Sequence, residues 1–258
     1  NLLHFFYGLG ATLGPRYAGI MLTADFTWRE TYKYSLVAIA IVVIFFVFSN
    51  FPAVDANKKK DSVPMKEILL NRRVLLFSLL LGFYVSAEIG IGNWLVTYLH
   101  KVKGIGEVQS ATYLSIFFMV FTLGRLVGGV VAEKLGYMRA IMLFMSASLG
   151  CVLMGMFGST KMIIMLSLGG FFFSIIYPTV MAILIKSFDK GISSIMGIVI
   201  TASSGINMIG NWIIGRVNDA FEVSAGFGMV VLYISLVILF IIALKRELER
   251  EAKPMLRP

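Results

Sequence analysis

Apolar residues run for about twenty positions at a time along this chain and then give way to short polar gaps, a pattern that repeats from end to end. As helices rising about 1.5 Å per residue, such runs cross the roughly 30 Å hydrocarbon core of a bilayer. Eight runs qualify, at roughly residues 1–22, 32–50, 74–99, 109–132, 139–158, 161–186, 193–216 and 223–244. Backbone facing lipid must satisfy its hydrogen bonds within its own segment, so the pattern predicts an all-α polytopic membrane bundle. Most gaps are short, which predicts sequential helices as antiparallel neighbours. The exception, FPAVDANKKKDSVPMKEILLNRR at residues 51–73, is long, polar and basic, and separates two spans from six. Four parts follow: residues 1–50, a linker at 51–73, a six-helix bundle at 74–246, and a tail at 247–258.

Composition narrows the class. Of 258 residues, 58% are hydrophobic and 14% charged, well below the roughly 25% charged of soluble domains. A net charge of +9 would suggest nucleic acid in a soluble protein, but here the bases flank spans and set orientation instead. Fifteen Lys and Arg residues lie on the side of the long break and the C-terminus, against five in the opposite loops. That asymmetry predicts a cytoplasmic break and a cytoplasmic C-terminus, and the expected location is the plasma (inner) membrane. Cys151 is the sole cysteine and sits in an apolar run, so neither a disulfide framework nor a metal cluster is expected, and no cofactor. No phosphate loop, zinc ligand set or nucleophile with a positioned base is present, which argues against an enzyme. The chain opens at Asn1, without Met or a charged leader and close to an apolar run, and reads as the later part of a longer protein.

Polar residues within the spans are the candidate chemistry. Glu88 is the single acid well inside a run, and an intramembrane acid is costly enough to mark function by default. Tyr84, Ile91 and Gly92 share its helix face, and Gly90 with Gly92 offers a place for the helix to loosen. The competing reading is that Glu88 pairs with a buried base or bonds between helices. Ser203, Asn207 and Asn211 recur every four residues, with Ser204 nearby, as a stripe that meets solute hydroxyls or a neighbouring helix. Gly170, Ser174 and Tyr177 align similarly, and Pro178 predicts a bend there. His4 shares a face with Gly8, Thr12 and Pro15; its imidazole can titrate near neutral pH or serve as a structural hydrogen-bond partner. Trp94 and Trp212 lie toward the outer span ends, where aromatic belts form. Arg125, inside a span, either reaches the interface along its stem or holds a contact between domains.

The stretch FTLGRLVGGVVAEKLGYMR at residues 121–139 organises the rest. Gly124 and Gly128 stand four apart on one face and invite close approach of another helix. Gly129, Glu133, Lys134, Gly136 and Arg139 then form a charged turn. Their order resembles the loop signature of the major facilitator superfamily, with Glu133 in place of the usual Asp and Tyr137 and Met138 among the bases. NLLHFFYGLGATLGP at residues 1–15 and AEIGIGNWLVTYL at residues 87–99 resemble helices five and seven of the fucose:proton symporter-like branch. The resemblance implies the last eight helices of a twelve-helix transporter that alternates access around a central site. It implies a small solute, a sugar or related polyol, moved with protons by a protein that is monomeric when full length. The implied path is lined by Glu88, Tyr84, Asn93, Tyr177, Ser174, Asn207, Asn211 and His4. The implied cytoplasmic gate comprises Gly129, Glu133, Lys134, Gly136, Arg139 and Arg125. Two other readings compete: a facilitator exporting hydrophobic compounds, and a receptor or assembly subunit that keeps the scaffold without transport.

Overall fold

The computed structural model describes residues 10, 13–14, 16–21, 23–49 and 63–252. His4, most of the first predicted span, Lys58 to Lys60 with most of the basic break, and the tail beyond Ala252 lie outside the described residues. All regular structure among the described residues is helical. The first long helix, α1 (Trp28–Phe48), starts at a capping box in which Thr27 and Glu30 satisfy each other's backbone N–H groups. The Tyr17 hydroxyl donates to the Thr31 carbonyl at 2.9 Å and ties the preceding helical stretch to α1. Thr31 is the one residue that α1 buries.

A short helix, α2 (Met65–Leu70), occupies the end of the predicted linker, with Ile68 buried. Asn71 caps α3 (Arg72–Lys101) through a 2.9 Å bond from the Arg73 N–H. There follow α4 (Glu107–Leu135), α5 (Tyr137–Phe157), a 3₁₀ turn (Thr160–Ile163) leading into α6 (Ile164–Phe173), α7 (Ile176–Lys186), α8 (Ile192–Ala220) and α9 (Val223–Ala252). Seven spans among the described residues are long and apolar enough to cross a membrane, the stretch from Thr160 to Lys186 counting as one. They correspond to seven of the eight predicted runs.

Three local expectations need correction. Glu133 and Lys134 belong to the last turn of α4, so the charged turn contracts to Gly136 alone. That residue has φ 80°, a left-handed conformation that disfavours a side chain, and its carbonyl accepts from the Ala140 N–H to start α5. Helix α3 runs unbroken through Gly90 and Gly92, so these glycines loosen nothing. The linker and tail are also more helical than predicted, since α2 lies within the former and α9 continues to Ala252.

The sixth predicted span, where Pro178 predicts a bend, is interrupted outright. Lacking an N–H and clashing with the carbonyl four residues back, proline acts on Ser174, and α6 ends at Phe173 while α7 resumes at Ile176. The broken segment lies against the small-residue face of α4. A Cβ on Gly124 would fall 2.9 Å from that of Ser174, and one on Gly128 would overlap the Ile175 side chain. The two glycines therefore admit the break itself, a closer approach than lipid-facing apolar residues permit.

Helix α3 is the most buried span and forms the axis of the bundle. Its principal partners are α8 and α9, while α4 packs chiefly on α6, so the main contacts skip sequence neighbours despite the short links. Phe83 stacks on Phe240 of α9 at 5.8 Å, and Tyr98 on Phe227 at 4.3 Å. The two groups of bases mark opposite ends. At one end Arg72 pairs with Glu247 at 3.6 Å and Arg73 donates to the Ser187 carbonyl at 2.7 Å. At the other, Lys103 donates to the Met156 carbonyl at 2.6 Å.

Candidate functional site

Helix α3 carries two groups of polar side chains, and the structure sends them in opposite directions. Tyr84 and Glu88 are one turn apart, hence on one face. Ser86 lies about 200° around the helix from Glu88, and Asn93 close to the Ser86 direction.

The first face is buried. Glu88 is 6% exposed and Tyr84 fully enclosed. The Tyr84 side chain hydrogen-bonds the Glu88 carboxyl, and the Arg125 guanidinium of α4 lies within electrostatic reach of it. Tyr177, at the start of α7, interacts with both charges. Arg125 is 8% exposed, its guanidinium 4.2 Å above the Phe121 ring one turn before it. It thus turns into the bundle, unlike the first of its two expected roles, in which its stem reaches the interface. The Tyr84 hydroxyl also donates to the Phe173 carbonyl at 2.8 Å, at the last residue of α6. A carboxyl, a guanidinium, two phenols and a helix-end carbonyl thus meet at the break between α6 and α7.

The second face is an amide ladder between α3 and α8. The Asn211 side-chain amide donates to the Asn207 Oδ1 at 2.8 Å and reaches the Ser86 carbonyl at 3.5 Å. Asn93 in turn donates to the Asn211 Oδ1 at 3.4 Å. Asn93 is exposed and Asn207 and Asn211 are half-buried, so this ladder has groups open to a ligand. Ser203 is buried and satisfied by the Val199 carbonyl at 2.6 Å, and exposed Ser204 by that of Ile200 at 2.9 Å. Trp212 is 65% exposed on the same helix.

Ser174 belongs to neither group. It is fully buried, donates to the Phe171 carbonyl at 2.6 Å and faces Gly124, which places it in the packing against α4. The predicted gate residues are divided. A cleft of about 150 Å³ between α4 and α7 is lined by Arg125, Gly129, Glu133, Tyr137 and Pro178. Lys134 and Arg139 are exposed at its end of the bundle but do not line it. The cleft therefore runs between Glu133 and the Arg125 that faces Glu88.

The sequence reading allowed Glu88 a buried base without naming Arg125, and it missed the Phe173 carbonyl. The pairing was accessible in principle. An acid and a base each deep in an apolar span both need a counter-charge, and each is the natural candidate for the other. The carbonyl was not, because a backbone acceptor is marked only by where the helix stops.

Comparison with known proteins places the chain. The profile of the Major Facilitator Superfamily matches residues 1–210. The glucose/galactose transporter of Brucella abortus is 24% identical over 244 residues, which cover 89% of this chain and 59% of that protein. The crystal structure of the E. coli fucose:proton symporter FucP superimposes with TM-score 0.63 at 18% identity, over 86% of this chain and 60% of that one. FucP in its outward conformation gives TM-score 0.59 at 20% identity, over 84% and 54%. The chain thus spans somewhat more than half the length of the proteins it matches.

Proposed function

This chain belongs to the Major Facilitator Superfamily, and from that membership we propose that it forms the later part of an alternating-access transporter that moves a sugar or related polyol with protons. The family consists of transporters and not enzymes, and the fold is that of a multi-pass membrane bundle. The Brucella abortus relative and FucP, named for sugars, support that solute class.

The observation that carries the reading is the buried Glu88 with Tyr84, Tyr177 and Arg125 around it. A carboxyl so placed is costly unless its charge is compensated or its proton retained. Arg125 supplies the compensation and a protonation change supplies the alternative. In this proposal Glu88 takes up and releases the coupled proton. Asn93, Asn207 and Asn211 bind the hydroxyls of the solute, since Asn93 is exposed and the other two are only half-buried. Glu133, at the mouth of the α4–α7 cleft, holds the cytoplasmic side closed; the partner expected for it, near Asn1, lies outside the described residues. The end bearing Arg72, Arg73 and Lys186 faces the cytoplasm, as the base count requires.

Uptake of radiolabelled glucose, galactose and fucose by cells expressing the full-length protein tests this reading. Glu88→Gln keeps size and hydrogen bonding and removes the titratable charge. It is expected to abolish the pH dependence of uptake between about pH 5 and 8 while leaving membrane expression intact. Unchanged uptake across that range removes Glu88 from the proton path.

A further inference from the structure

The Tyr84 hydroxyl has one proton and two acceptors within reach, the Glu88 carboxyl and the Phe173 carbonyl. From this arrangement we propose that Tyr84 is a positioning residue that ties the protonation of Glu88 to the break between α6 and α7. The proposal rests on the reading of Glu88 as the proton carrier and adds the route by which its proton acts on the fold.

Phe173 ends α6, and the last four carbonyls of a helix have no partner within it. Pro178 guarantees that the helix cannot simply continue through this point, because it has no N–H to offer the Ser174 carbonyl. Of these helix-end acceptors, Phe173's receives the Tyr84 hydroxyl at 2.8 Å, in a fully buried setting where an unpaired carbonyl is unfavourable. Tyr84 therefore caps α6 from a different helix.

Two proton arrangements follow. With Glu88 protonated, its carboxylic O–H donates to the Tyr84 oxygen, and Tyr84 donates its own proton to Phe173. Every group is then satisfied and the cap is in place. With Glu88 ionised, the carboxylate has no proton to donate and draws the phenolic O–H, because a hydrogen bond to a charged acceptor is about twice as strong as one to a neutral acceptor. The Phe173 carbonyl then faces the phenol's lone pairs and the cap is lost. No covalent bond to the phenol changes; its O–H turns, and the only proton exchanged is that of Glu88. The charged and titratable groups facing Glu88 are Tyr84 on its own helix, Arg125 from α4 and Tyr177 from α7. From α9, Tyr233 is turned to the Gly210 carbonyl of α8 at 2.8 Å. Release of the cap frees α7 to move against α4, on the wall of the cleft that Ala182 lines.

The test is the alkylation rate of Ala182→Cys by N-ethylmaleimide in the full-length protein, in membranes and a Cys151→Ser background. Rates are normalised to the denatured protein at the same pH. In the otherwise native protein the rate is expected to rise about two- to tenfold from acid to mildly alkaline pH, the weight of one hydrogen bond. Glu88→Gln, whose amide donates to Tyr84 as the protonated acid does, is expected to hold the slow rate at all pH values. Tyr84→Phe is expected to hold the fast rate at all pH values, with or without Glu88→Gln. A native pH slope surviving in Tyr84→Phe overturns the proposal while Glu88 keeps its proton role. A flat native profile identical to that of Glu88→Gln overturns both. If Tyr84→Phe fails to reach the membrane, Tyr84→Met replaces it. A fast rate in Glu88→Gln alone contradicts the mechanism without any Tyr84 variant.

Discussion

The two faces of α3 solve the same problem in different ways. Toward α4 and α7, the helix buries a carboxyl and a guanidinium away from water, with phenols to mediate. Toward α8, it presents the Asn93 amide, which donates at 3.4 Å to an Asn211 that is itself bonded to Asn207 at 2.8 Å, and the group remains partly open. A charge in a low-dielectric interior interacts strongly and over distance, so the first face is a tightly coupled unit in which one substitution disturbs all members. An amide exchanges partners at little cost, so the second face can give up a bond within the ladder for a bond to a solute. One helix thus separates a group suited to store a proton from a group suited to recognise hydroxyls.

The largest expected effect tests the coupled character of the buried face. Arg125→Met removes the counter-charge and leaves Glu88 enclosed. If the carboxylate stays ionised the cost is about 3–5 kcal/mol, read as a fall in the thermal midpoint of the detergent-purified protein. The double variant Arg125→Met with Glu88→Gln is expected to recover most of that loss. Equal stability of the single and double variants breaks the comparison, since it would show the two charges to be independent.

A smaller effect is expected where the buried face meets the break. Gly128→Leu inserts a side chain where Ile175 already stands, and overpacking of this kind costs about 1–3 kcal/mol. The substitution pushes the segment between α6 and α7 away from α4 without touching a charge. Thermal unfolding together with the Ala182→Cys alkylation rate measures it. A stable variant with native alkylation shows that the glycines do not set the position of the break.

The smallest effect on stability belongs to the amide face. Asn211→Ala removes the centre of the ladder, and interhelical side-chain bonds in membranes average about 0.6 kcal/mol. Stability is expected to change little while the apparent KM for sugar rises. A loss of stability as large as that of Arg125→Met, with unchanged KM, makes the ladder a structural contact and ends the contrast between the faces.

Much of this protein was legible in one dimension, for physical reasons that reach only as far as local order. Run length against bilayer thickness predicts the spans, and seven of the eight match helices among the described residues. Proline chemistry predicts a bend in the sixth predicted span, and the structure interrupts the helix there, one turn before Pro178. The spacing of Gly124 and Gly128 predicts a close helix contact without naming the partner, which proved to be the break itself. Glu88 was conspicuous because a lone acid in an apolar run is costly wherever its neighbours lie.

What packs against what was decided only by the tertiary structure. Short links suggested neighbours in sequence order, yet α3 makes its main contacts with α8 and α9, and α4 with α6, because side-chain fit and not chain proximity selects partners where lipid offers no hydrophobic drive. The same holds for Glu88 with Arg125 and for Tyr84 with the Phe173 carbonyl. The sequence by itself determined that each charge in the bilayer needs a partner and that the helix bends near Pro178. The three-dimensional arrangement decided which partners those are, since a helix end exposes an acceptor that no residue letter records.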